Sequence, residues 1–456
     1  MAAVFVGLGT AYCFRWGPVI RHVPSSWISS GDLADTFAAA VAFSHGHLGT
    51  VYNSNSSFIS YPGILIALLP LAALNGTFHT TFVAIFQHGH LVTGVPQIAV
   101  SHTHQVLESG TTLSKGTEYT VQPQWFAFVA PYVMALSCVA LFACDRLAEQ
   151  LGVGRARRIM LGIIEAVVLW PVVVMWGHPE DALALGLAVY AVSLALDERF
   201  VGAGWLLGAA IACQPFALVL FPILLFLGGT KQLLGLLVRG LAPAAVLVAG
   251  PVIADFHNAT VSLVKQPTFP LYANNHVTPW TFLAPRVRGS GANIVVAGGP
   301  TRLVVLPLVV AAGWLARRWR SNAAVLVLLV ALAFGLRVYF ESVLTSYYVW
   351  PALAVGLIVA ALRSLPRFSL AAVSALATTV VSQWQIAWAL WWCLDIAGIT
   401  VLLAVVAWPP PPVVSSAAVL GPADARPHAQ RRPPPVPRGT GARRAPSPAA
   451  RRASRR

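Results

Sequence analysis

The stretch RARRIMLGIIEAVVLWPVVVMWGHPEDALALGLAVYAVSLALDER, residues 155–199, decides the fold. It opens on Arg155, Arg157 and Arg158. An apolar run follows over 159–176, then the polar turn Gly177-His178-Pro179-Glu180-Asp181. A second apolar run over 182–196 closes on Asp197, Glu198 and Arg199. Each run comes close to the ~20 residues a helix needs to cross a bilayer. Lys and Arg collect on the cytoplasmic side of a membrane. The pattern therefore reads as a helical hairpin with its arginines inside and its polar turn outside.

The same punctuation recurs along the chain. Further apolar runs lie near 1–14, 62–78, 126–144, 201–228, 241–256, 303–316, 323–340, 348–362, 370–386 and 388–408. Arg317, Arg318 and Arg320 form a second basic cluster, Arg363 and Arg367 a third, and the tail a fourth. Of 456 residues, 57% are hydrophobic and 10% charged; a soluble domain carries about 25% charged residues, so lipid must solvate the remaining apolar surface. The expectation is an all-α polytopic protein of the plasma membrane with about 11–13 transmembrane helices. Residues 1–408 form the membrane domain, with outer loops near 15–61, 80–125, 177–181, 257–302 and 341–348. Lys231 and Arg239 also belong inside, so the run 201–228 must reverse; two short helices broken at Gln214-Pro215 satisfy this. The first third stays open: either 62–78 is re-entrant or 82–100 crosses as a poor span. Met1 to Phe14 lacks the basic start and cleavage site of a signal peptide and reads as a short helix.

The tail 409–456 sets ten arginines against Asp424, a balance of +9 within the chain's +15. Rich in Pro and Ala, it cannot bury a core and is expected to be disordered and cytoplasmic. It serves either as a basic contact for anionic lipid or as a solvated topology anchor. With the charge placed there, a nucleic-acid partner is not implied. No internal repeat or nucleotide-binding glycine motif occurs. Cys13, Cys138, Cys144, Cys213 and Cys393 lie in or beside apolar runs and read as small buried hydrophobes.

Polar residues gather in the outer segments. Asp32 and Asp35 are three apart and share a face if 31–43 is an interfacial helix; Asp32 also suits a plain N-terminal cap. In the turn 177–181, Pro179, Glu180 and Asp181 suit the start of a helix. His178 is not explained that way, and three ionisable groups at a membrane surface also read as a site. The loop 257–302 carries His257, Lys265, His276, Arg286 and Arg288 with no acidic residue among them. That set suits a phosphate or pyrophosphate, or lipid headgroups. Arg337 lies in an apolar run four residues before Glu341 and could pair with it. Tyr347 and Tyr348 follow, in or beside an aromatic belt. The pairs His88/His90 and His102/His104 lack a third ligand, so no metal site is assigned.

Several of these positions together resemble the GT-C superfamily, polytopic glycosyltransferases that use polyprenyl-phosphate sugars on the outer side of the membrane; the actinobacterial mannosyltransferase-like branch is the nearest likeness. The resemblance rests on Asp32 in the first outer loop and on Gly46-His47-Leu48-Gly49-Thr50-Val51-Tyr52 with Ser60-Tyr61-Pro62-Gly63. The turn Gly177–Asp181 and the small-residue stretch Trp205 to Pro215 complete it. It covers most of residues 25–365. Two positions depart from the family pattern: Gly63, where a second Pro is common, and Gln214, where Lys is frequent.

The resemblance implies inverting transfer of a sugar, mannose for the nearest branch, to a cell-envelope glycan or glycolipid. Asp32 would be the general base. Arg286, Arg288, His276 and Arg337 would receive the leaving polyprenyl phosphate. Asp35, Tyr61, His178, Glu180, Asp181 and Tyr347 would bind substrate, the acidic residues and His178 orienting the acceptor or holding a divalent cation. The competing readings are a transporter or lipid flippase, favoured by the broken helix, and a non-catalytic family member. An enzyme requires Asp32, the His178–Asp181 turn and a basic residue around one outer cavity, whereas a transporter requires a polar path at mid-depth.

Overall fold

The computed structural model describes residues 1–16, 31–52, 58, 60–74, 83–87, 90–92, 118–121, 123–268, 270–272, 277–286, 294–296, 300–384 and 388–408. The tail expected over 409–456 lies outside them, as do His88, His102, His104, His276 and Arg288.

The membrane domain is built of α-helices. In chain order they are α1 (Ala2–Trp16), α2 (Gly31–Ser44), α3 (Gly63–Leu74), α4 (Pro123–Gln150), α5 (Arg155–Trp170), α6 (Pro179–Leu196) and α7 (Phe200–Cys213). There follow α8 (Phe221–Ala254), α9 (Phe256–Thr268), α10 (Arg302–Ala316), α11 (Ala323–Tyr339), α12 (Trp350–Ala360), α13 (Leu365–Ser382) and α14 (Trp388–Ala407). Among the described residues, six segments are long and apolar enough to cross a membrane: 129–150, 155–175, 179–196, 215–254, 365–382 and 390–407. Five shorter apolar helices pack among them. Among the described residues, strands lie in two loop segments. Val83–Gln87 (β1) pairs antiparallel with His90–Val92 (β2) and Glu118–Val121 (β3), and Pro270–Tyr272 (β4) pairs with Ile294–Val296 (β5).

The basic clusters meet on one face. Arg157 donates to the carbonyls of Ala361 and Arg363, Arg363 to that of Val406, and Arg367 to that of Trp408. These guanidiniums satisfy carbonyls that the C-terminal ends of α12 and α14 leave free, and they suit the negative ends of both helix dipoles. Arg320 caps the Phe226 carbonyl on the same face. Gln150 accepts from Ser193 and donates to Asp197, tying α4 to the end of α6.

The hairpin quoted first forms as expected, α5 rising from the arginine face and α6 descending to it. The reversal at 201–228 forms as well. Gln214 takes an extended backbone (φ −150°, ψ 126°), which suits the residue before a proline. A 3-10 turn over Pro215–Leu220 then leads into α8. That helix reverses in turn at Gly229, whose φ of 67° and ψ of −174° only glycine adopts without strain. The second leg lies so close to α7 that a Cβ on Gly208 would strike the Arg239 carbonyl and the Pro243 ring. Small residues permit such approach between membrane helices. Arg239 folds its guanidinium back along Gly235 toward the arginine face, bringing its charge nearer the surface.

In the first third, the two ends of the segment 83–121 meet near the start of α4. Val83 pairs with Val121, two residues before α4 begins, so the chain enters and leaves 83–121 on the face opposite the arginines. The start of α3 lies on that face too. A Cβ on Gly63 would lie 2.5 Å from the Ala212 carbonyl oxygen, at the end of α7.

Candidate functional site

On the face opposite the arginine clusters, four helix ends converge. The end of α5 is the first. Pro171–Met175 forms a π-helical turn, a feature frequent at functional sites. Gly177 follows with φ +69°. Together they fold the chain back, so that the His178 amide donates to the Val172 carbonyl at 3.0 Å and its side chain is buried. Pro179 opens α6 with its fixed φ, and Glu180 and Asp181 occupy the first turn, at the positive end of the dipole. Both carboxylates are buried.

The second and third ends belong to α11 and to the 3-10 turn Ser346–Val349 ahead of α12. His178 Nδ1 lies 2.6 Å from Glu180 Oε1. The Tyr347 ring covers the imidazole, centroids 4.1 Å apart. Tyr347 also meets Trp176 at 6.0 Å and Tyr348 at 5.1 Å. The Trp176 indole N–H donates to Gln383 at 2.8 Å. Arg337 lies over the Tyr348 ring, 4.3 Å from its centroid, and faces Phe216 at 5.4 Å. A guanidinium over aromatic faces gains cation–π attraction that offsets part of its desolvation.

The fourth end is that of α10. Glu341 is buried, and its two oxygens take different guanidiniums: Arg337 Nε at 3.3 Å and Arg302 Nε at 2.6 Å. The expected Arg337–Glu341 pair therefore forms, with a second cation added. Two guanidiniums against one carboxylate leave one positive charge at a half-buried aromatic site. Such a place suits one anionic group, since arginines bind phosphate oxygens through charge-assisted hydrogen bonds.

The other expected residues divide as follows. Tyr61 is half-buried, two residues before Gly63 on this face. Arg286 is exposed in the loop after the short helix Thr281–Leu283. Asp32 and Asp35 lie in the first turns of α2, while the placement of their side chains lies outside the description. Leu33, Phe37 and Ala40 of α2 are buried in the core, and α2 leads to the segment 48–52 on this face. There the Ser262 hydroxyl donates to the Tyr52 carbonyl at 3.4 Å, and Tyr52 Oη to the Ser60 carbonyl at 2.7 Å. Burial, with Tyr61 adding, pushes the Tyr52 hydroxyl well up. Nearby Asp255 is held below the usual carboxylate range by the backbone amide and then the side-chain amide of Asn258. Among the described residues no group of three or more His, Cys, Asp or Glu could hold a metal ion.

Arg302 was not singled out from the sequence. It ends a long loop and begins an apolar run, where an arginine reads as an interfacial flank; only the fold shows that it shares Glu341 with Arg337. Glu165 and Asp395 were not singled out either. Both are buried within membrane helices, and Glu165 Oε1 and both Asp395 oxygens lack a hydrogen-bond partner among the described residues.

Residues 110–228 match the family model described as Alpha-(1->6)-mannopyranosyltransferase, N-terminal domain. The match spans about a quarter of the chain and takes in α4 to α7, with the His178–Asp181 turn and Gln214-Pro215 inside it. No curated protein matches the chain.

Proposed function

From a membrane protein that carries a mannosyltransferase-family domain, and is on that ground a glycosyltransferase, we infer transfer of mannose from a polyprenyl-phosphate donor to a cell-envelope glycan or glycolipid. Transfer takes place on the outer face, opposite the arginine clusters. On this reading the arginine clusters face the cytoplasm, as the positive-inside rule expects.

The observation that carries this reading is the Arg302–Glu341–Arg337 cluster beside the His178–Glu180–Tyr347 cluster on one face. The Arg302–Glu341–Arg337 cluster by itself carries one net positive charge, which matches the single negative charge of a sugar phosphodiester. It also opposes the charge that develops on the phosphate as the glycosidic bond breaks. Arg286 adds positive potential from the loop, and the reading gives Arg288 and His276 the same role from their place in the sequence. Tyr347 and Trp176 offer flat apolar faces for a sugar ring, and His178, Glu180, Asp181 and Tyr61 orient hydroxyls. Asp32, supported by Asp35, takes the proton from the acceptor hydroxyl as that oxygen attacks the anomeric carbon. The acceptor gains the sugar with inversion, and the polyprenyl phosphate leaves with the bonding electrons.

The test is transfer of radiolabelled mannose in proteoliposomes by wild type, Asp32→Asn and Arg337→Ala. The reading expects Asp32→Asn to fold and lose transfer, and Arg337→Ala to weaken it. Full activity in Asp32→Asn would remove Asp32 as the base.

A further inference from the structure

Helix α11 ends at Tyr339, and the carbonyls at and just beyond its end would lack partners in the buried turn that follows. Four in succession are satisfied by side chains from a separate part of the chain. The Trp280 indole N–H donates to Tyr339 O at 2.6 Å, and the Thr301 hydroxyl to Phe340 O at 2.7 Å. The Thr278 hydroxyl lies 2.8 Å from Glu341 O and 3.1 Å from Ser342 O. The Thr281 hydroxyl donates to Ser342 O at 2.7 Å. The Trp280 ring stacks on Phe340, centroids 5.7 Å apart at 27°, and Val277 bridges Val343 antiparallel. Glu341 and Ser342 are fully buried beneath this segment.

These bonds fix the backbone of the residue whose carboxylate spans the two arginines. Thr301 adds a second constraint, because it precedes Arg302 and so sets the start of α10 against Phe340. We propose that Thr278, Trp280 and Thr281 are positioning residues. They clamp the 339–342 turn so that Glu341 holds Arg302 and Arg337 at the spacing a phosphate group needs. The proposal rests on the reading that these arginines receive the donor phosphate. Glu341 is their only carboxylate among the described residues. A turn free to shift would let it pair with one arginine and release the other.

Two readouts separate the clamp from the phosphate reading. The first is phenylglyoxal labelling of arginines in the purified full chain, mapped by peptide mass spectrometry, which needs no substrate. Thr278→Val and Trp280→Phe should raise labelling of Arg302 and Arg337 about fivefold, the factor of one lost hydrogen bond. Thr278→Ser should restore the wild-type pattern, and Arg158 on the opposite face should not change. The second readout is kinetics with a polyprenyl-phosphate mannose. Thr278→Val should raise KM about fivefold with little change in kcat, and add nothing further in a Glu341→Gln background.

Unchanged labelling at Arg302 and Arg337 would overturn the clamp, and so would an equal rise at Arg158, which would mean general loosening. A Thr278→Val effect that persists in full beside Glu341→Gln would also overturn it. If KM rises in Arg337→Ala but not in Thr278→Val, the clamp fails and the phosphate reading stands. If KM moves in neither, the phosphate reading fails, and the role of the clamp at a phosphate site with it.

Discussion

Replacing Glu341 by alanine should destabilise the protein more than removing either arginine. Its carboxylate is buried and accepts from Arg302 at 2.6 Å and Arg337 at 3.3 Å. A hydrogen bond to a charged group contributes about 1.5–3 kcal/mol. Breaking a buried ion pair by removing one partner costs about 3–5 kcal/mol. The arginine side chains are 28% and 20% exposed, so water relieves part of the loss, and about 3 kcal/mol is expected for Glu341→Ala. That is roughly a 150-fold change in the unfolding equilibrium. Arg302→Ala leaves the carboxylate paired with Arg337 and should cost about half as much. The assay is reversible unfolding by SDS in dodecylmaltoside micelles, with both single variants and the double variant completing a cycle. Losses for Glu341→Ala no larger than those for Arg302→Ala, or strict additivity in the cycle, would refute the shared-carboxylate account.

Three further outcomes follow from the same geometry. Gly63→Val forces side-chain atoms against the Ala212–Cys213 backbone and should cost about 1–3 kcal/mol in the same titration, while Gly7→Ala, with open space around it, should cost little. Tyr347→Ala removes the ring over His178 and should lower kcat/KM about tenfold or less, the scale of one aromatic pair; Tyr347→Phe should stay near wild type. The Tyr52 hydroxyl is pushed up by burial, above an unfolded value of about 10. Its contribution is therefore full below about pH 10 and falls as pH rises beyond it, so Tyr52→Phe should flatten the alkaline loss of stability seen in a pH series.

Much of the architecture was legible because the membrane imposes a simple code. The arginines at 155–158, 317–320 and 363–367 marked one face, and contacts such as Arg157 with the Ala361 carbonyl show them gathered there. The break at Gln214-Pro215 was legible from proline chemistry alone, and so was the pairing of Arg337 with Glu341 four residues on. The meeting of the two ends of 83–121 was not, because Val83 pairs with Val121 in a register that no local pattern announces. Nor was the site in full. The π-helical turn that buries His178, and the sharing of Glu341 by Arg302, depend on how distant segments pack. Composition offers no sign of either.

The most direct test of the account is donor choice. Purified protein in lipid would be given mannose either as a polyprenyl-phosphate sugar or as a sugar nucleotide, with membrane glycolipid as acceptor. The account predicts transfer from the polyprenyl-phosphate sugar and none from the sugar nucleotide. Transfer from the sugar nucleotide alone would contradict it.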